Sequence, residues 1–66
     1  MEILLNGEPR NLHAPTTVLL LLHAEGLENR RVAVEVNGQI VPRSRHADWQ
    51  LCAGDRVEIV HALGGG

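Results

Sequence analysis

The chain contains no lysine, no phenylalanine and no tyrosine, and it has one tryptophan and one cysteine. Each shortage removes a class of function. Without lysine there is no Schiff-base chemistry and no side-chain amine to accept a conjugated protein. A lone aromatic ring, Trp49, offers no row of platforms on which bases can stack. The six basic residues are all arginine (Arg10, Arg30, Arg31, Arg43, Arg45 and Arg56). They are scattered among eight acids for a net charge of −2, so no basic stripe faces phosphate. Nucleic-acid binding is disfavoured on both counts. Cys52 cannot form an intrachain disulfide, which fits a reducing compartment. No apolar run approaches the ~20 residues of a membrane span, the longest being Val18 to Leu22. Met1-Glu2-Ile3 carries no basic stretch of the kind that opens a signal peptide. These features predict a soluble cytoplasmic protein.

Size excludes more. A chain of 66 residues makes one domain and buries only about 60% of the surface it exposes when unfolded. With 44% hydrophobic residues it can fold. Little apolar surface is left to wall a substrate pocket, which takes roughly 300 Å³ or more. An autonomous enzyme is therefore disfavoured, and no bound cofactor is expected. His13, His23, His46 and His61 show no pair at zinc-ligand spacing, so no metal site is expected either.

What is present is strand and turn patterning. Met1, Ile3 and Leu5 alternate with Glu2, Leu4 and Asn6, the period of a strand with one buried face. Asn6-Gly7 suits the positive φ angles of a tight hairpin turn. A short return strand is predicted over Arg10 to His13 with Leu12 inward, and Pro9 at its start or on an edge. Thr17 is the favoured N-cap of a helix from Val18 to Glu25 that Gly26 terminates. Val18, Leu21 and Leu22 make its apolar stripe; four consecutive leucines exceed that stripe, which leaves Leu19 or Leu20 near the surface. Arg31 to Asn37 alternates again with Val32, Val34 and Val36 on one side, and its β-branched residues suit a central strand. Asn37-Gly38 turns into a short Ile40-Val41 strand that Pro42 ends. Arg43 to Trp49 reads as irregular with one helical turn. After the turn at Ala53-Gly54-Asp55, Arg56 to His61 is the last strand, with Val57 and Ile59 inward.

The order β-β-α-β-β-β places one helix over a mixed sheet of four or five strands. The helix supplies the long crossover that lets the first and last strands pair in parallel. This is an α+β architecture, the β-grasp, spanning residues 1–61, with residues 62–66 as a glycine tail.

The tail is Ala62-Leu63-Gly64-Gly65-Gly66. Glycine loses the most entropy on ordering, so a terminal run of it makes a poor structural element. A frayed end is the plain interpretation. A side-chain-free probe that carries its carboxylate into a narrow channel is the functional one, and a β-grasp directly before the tail favours it.

Length, strand order, Thr17-Val18 with Leu21-Leu22, Asn37-Gly38 followed by Ile40-Val41-Pro42-Arg43, Gly54-Asp55 and the Gly-Gly end together resemble the ubiquitin-like sulfur carriers of thiamine biosynthesis, the ThiS family. Leu19-Leu20 departs from the mixed polar pattern of that helix. The resemblance implies that an E1-like partner adenylates the Gly66 carboxylate with ATP. Sulfur from cysteine, delivered through a desulfurase, then gives a thiocarboxylate that thiazole synthase consumes. On this scheme Gly66 is the modified residue and the protein is a co-substrate rather than a catalyst. Gly65 and Gly64 serve access, while Leu63, Ala62 and Val60 contact partners. Two alternatives stay open: a sulfur carrier for molybdopterin or tRNA thiolation, and a β-grasp binding module whose tail is never activated.

The remaining candidates have plain structural interpretations. Cys52 beside Leu51 is expected to be a buried small hydrophobe rather than a persulfide carrier. Trp49 is expected in or at the edge of the core, His61 at an exposed strand end, and Arg43 and Arg45 in solvent. Leu4, Ala33, Arg56, Glu58 and Val60 are expected on the uncovered sheet face, a docking surface if they stay exposed.

Overall fold

The computed structural model describes residues 1–61. Five strands and one helix follow in the order β1 (Glu2–Leu5), β2 (Glu8–Asn11), α1 (Val18–Ala24), β3 (Val32–Val36), β4 (Gln39–Val41) and β5 (Arg56–His61). A single 3-10 turn, Arg43–Arg45, lies between β4 and β5. The strands form one sheet in the order β2-β1-β5-β3-β4, with β1 and β5 parallel and the other neighbours antiparallel. The last strand is therefore the middle strand, and the fold is the expected β-grasp.

Both hairpins turn through Asn-Gly. Asn6 and Gly7 have φ of 51° and 84°, and Asn37 and Gly38 have 53° and 85°. Positive φ at both central residues marks the turn whose twist matches the flanking strands. These turns fix the registers, Leu5 opposite Glu8 and Val36 opposite Gln39. The first register corrects the sequence expectation for the return strand. With no loop beyond the two turn residues, pairing starts at Glu8 and the strand runs Glu8–Asn11, not over Arg10 to His13. Leu12 nevertheless exchanges two hydrogen bonds with Met1, its amide donating to Met1 O (2.7 Å) and its carbonyl accepting from the Met1 amino group (2.8 Å). Leu12 lies past the strand end and still packs, partly buried, against the core. Pro9 sits opposite Leu4, whose own amide is directed to Asp55 O on the β5 side (2.9 Å), so that rung asks nothing of the proline nitrogen.

The helix starts where expected. Thr17 is the N-cap, and its hydroxyl accepts from the Leu20 amide at 3.1 Å. The last helical residue is Ala24 rather than Glu25, which becomes the C-cap, and Gly26 follows at φ 74°. Seven residues are too few to hold a helix alone; burial of its inner stripe does so. Val18, Leu21 and Leu22 are 0%, 2% and 3% exposed, whereas Leu19 and Leu20, at 42% and 53%, both face solvent. Arg10 on β2 clasps Glu25 at the helix end with two hydrogen bonds. That hydrogen bond, and then the carboxylate charge, raise the arginine pKa above its ordinary value.

Under the helix, Ile3, Leu5, Val34, Val36, Val41, Leu51, Val57 and Ile59 complete the core, with Trp49 packed at its margin. His46 is also buried, and its Nε2 lies 3.2 Å from Val41 O, an arrangement that the sequence did not reveal. Among the described residues, every buried side-chain nitrogen or oxygen has a partner.

Leu21→Ala is expected to cost about 2–5 kcal/mol through the cavity it leaves. Leu20→Ala, one position away on the solvent side, should cost well under about 1 kcal/mol. Urea unfolding of the two variants checks the contrast.

Candidate functional site

The site is organised around the end of β5. Its inward residues Val57 and Ile59 are locked into the core, which directs Arg56, Glu58 and Val60 to the opposite, uncovered face. On that face Val60 lies opposite Ala33, Glu58 opposite Glu35, and Glu35 in turn opposite Ile40. Leu4 is beside Arg56 on the other flank. Three apolar side chains are well exposed here, Ile40 at 69%, Val60 at 58% and Leu4 at 37%. The sequence reading anticipated Leu4 and Val60 on this face; Ile40 is an addition, because only the register shows that it shares the side of Glu35. Glu35, Gly38, Arg56 and Glu58 line a shallow concavity of about 120 Å³.

Two like charges directly opposite each other on neighbouring strands destabilise a sheet. Glu35 and Glu58 stand in that relation. An apolar strip bordered by an acidic pair suits a partner surface that offers apolar side chains beside a basic one, which would relieve the repulsion on binding.

The start of β5 is held by a side-chain network. Asn37 Oδ1 accepts from the Arg56 amide (2.9 Å), and Asn37 Nδ2 donates to Asp55 Oδ1 (2.9 Å). The other Asp55 oxygen accepts from the Cys52 amide at 2.7 Å. This turn corrects the expectation for Cys52. Its backbone is drawn into the Asp55 turn, Leu51 takes the buried place, and the thiol is exposed. Nearer the end of β5, Asn6 Oδ1 accepts from the Ile59 amide at 2.8 Å. Thus both turn asparagines stitch their hairpins to the same strand. Asn-Gly was legible as a turn; the second task of each asparagine was not.

His61 ends β5 opposite Val32 and is exposed. Ala62, Leu63, Gly64, Gly65 and Gly66, the other residues assigned to the site, lie outside the described residues. A groove of about 340 Å³ is walled by Met1, Leu12, Ala14, Pro15 and Leu51, with His13 its one titratable side chain. Because β1 and β5 run parallel, this groove lies at the end of the sheet away from His61. Among the described residues no group of three or more His, Cys, Asp or Glu is placed to hold a metal ion.

Set beside known proteins, residues 3–66 match the model of the ThiS family. The chain belongs to that family. The Bacillus subtilis sulfur carrier protein ThiS is 41% identical over 63 residues, covering 94% of this chain and 96% of the relative. A crystal structure of a ThiS thiamine biosynthesis protein from Geobacter metallireducens superposes with a TM-score of 0.86 at 30% identity, covering the whole of both chains. A thiazole synthase from Paramagnetospirillum magneticum is 47% identical over all 66 residues. This chain spans 20% of the length of that relative, and the same share of a second thiazole synthase, from Magnetococcus marinus. The ThiS match extends through the residues beyond β5.

If the Glu35–Glu58 pair repels as the register implies, Glu58→Gln should stabilise the domain by about 0.2–1 kcal/mol at low ionic strength. The gain should shrink as salt rises and screens the pair. Thermal melts at two salt concentrations measure it.

Proposed function

We propose that this chain is a sulfur carrier whose reactive group is the Gly66 carboxylate and whose product serves thiazole formation in thiamine biosynthesis. The observation that carries the reading is the ThiS match over residues 3–66, which takes in the glycine end that follows the central strand. The full-length similarity to the Bacillus subtilis sulfur carrier supports it.

In this mechanism the protein is a co-substrate, not a catalyst. A carboxylate is a poor electrophile because its charge is shared over two oxygens. An E1-like partner therefore lets a Gly66 oxygen attack the α-phosphorus of ATP, and pyrophosphate leaves. The resulting acyl-adenylate has a good leaving group. A persulfide sulfur, originating in cysteine and delivered through a desulfurase, attacks the acyl carbon, and AMP departs. A thiol of the partner enzymes then reduces the resulting acyl disulfide, forming a disulfide and releasing the terminal thiocarboxylate. The terminal thiocarboxylate then donates sulfur to thiazole synthase. Gly65 and Gly64 present no Cβ to the walls of the partner's channel, and glycine accepts backbone conformations closed to other residues. Leu63 and Ala62 act as contacts at the base of the tail, and Val60 anchors the sheet face. ATP belongs to the activating partner, and no cofactor is held by the carrier itself.

The names of the two thiazole synthase relatives favour the thiazole branch over a carrier for molybdopterin or tRNA thiolation. Intact-mass analysis after incubation with the activating enzyme, ATP and a sulfur source tests the mechanism. The expected result is exchange of one terminal oxygen for sulfur. A mass that stays unchanged with a demonstrably active enzyme assigns the chain to the non-activated binding modules. Recovery of thiazole synthase by the thiocarboxylated protein separates the thiamine branch from the others.

Two variants sharpen this. Deleting Gly66 should abolish thiocarboxylate formation while leaving the urea midpoint unchanged. Val60→Asp, on an exposed position, should leave stability within about 0.5 kcal/mol and raise the concentration of carrier needed for half-maximal activation.

A further inference from the structure

The β1–β5 ladder contains a substitution of side chain for backbone. Leu4 N–H donates to Asp55 O and Asn6 N–H donates to Val57 O, both at 2.9 Å. In a regular parallel ladder the next bond would run from the Ile59 amide back to the backbone carbonyl of Asn6. Asn6 has already left the strand, however, with φ 51° in the hairpin turn. The Ile59 amide bonds instead to Asn6 Oδ1 at 2.8 Å. The side-chain carbonyl stands in for the missing main-chain one and extends the ladder by one rung.

That rung sits at a sensitive place. Beyond it, Val60 and His61 are paired on the β3 side, with Ala33 and Val32. On the β1 side the strand pairs stop at Leu5 with Val57, so among the described residues Asn6 is the last tie from the first hairpin toward the end of β5. We propose that Asn6 is a positioning residue, which fixes the direction in which β5 ends and so sets how the Gly66 carboxylate is offered to the activating enzyme. The inference rests on the carrier reading above. It adds to that reading a residue that is remote in sequence and never touches the reacting atoms.

Asn6 also shapes the turn, so the test must separate the two tasks. Asn6→Gly accepts positive φ and removes the acceptor. Asn6→Asp keeps an oxygen in the same place and tolerates the left-handed conformation. Losing one hydrogen bond should speed exchange of the Ile59 amide by about five- to tenfold in Asn6→Gly, with Val34 in the core unchanged. With the E1-like enzyme and ATP, the same variant should show a raised KM for the carrier at unaltered kcat, followed by pyrophosphate release. Asn6→Asp should restore both. Wild-type protein that is adenylated, together with an Asn6→Gly protein of unchanged Ile59 exchange or unchanged KM, would overturn the proposal. A wild-type protein that is never adenylated would instead sink the carrier reading. The exchange measurement judges the rung without the enzyme.

Discussion

Parallel pairing between the first and last strands is the constraint on which the molecule depends. Parallel neighbours need a long crossover, and the helix between them provides it while covering the inner face of the sheet. Because β5 is laid between β1 and β3, the residues that are last in sequence are central in space. Val57 at 0% exposure and Ile59 at 8% hold that strand from the inside. Bonds from Asn37 and Asn6 hold its backbone from either flank. A group attached to such a strand begins from a fixed point.

The sheet divides the labour between its two faces. The inner face is spent on stability, since a domain of this size has no core to spare. The outer face keeps Leu4, Ile40 and Val60 in water and sets Glu35 against Glu58. The facing carboxylates oppose each other across the ladder, and the apolar side chains gain no burial on this face. The exposed Leu19 and Leu20 on the helix are a separate surface, and nothing in the structure shows what covers them.

Much of this was legible in the residues. Alternation located β1, β3 and β5, the two Asn-Gly pairs located the hairpins, and Thr17 with Gly26 bracketed the helix to within one residue. Side-chain period told which valines and isoleucines face inward, because a strand has only two faces. The misses share a cause. The start of β2, the exposure of Cys52, the burial of His46 and the placement of Ile40 all follow from register or from turn hydrogen bonds, and a linear pattern contains neither. Of the site, the outward positions of Leu4 and Val60 were legible. The work of Asn6 was hidden because Asn before Gly is already explained by turn geometry.

The borders of the sheet have a consequence of their own. One is β2, interrupted by Pro9, and the other is β4, three residues long. A proline offers no donor and a short strand offers few, so neither border is a good template for recruiting another strand. With its main-chain margins blunted in this way, the domain can leave an apolar sheet face in water and still resist zippering onto copies of itself.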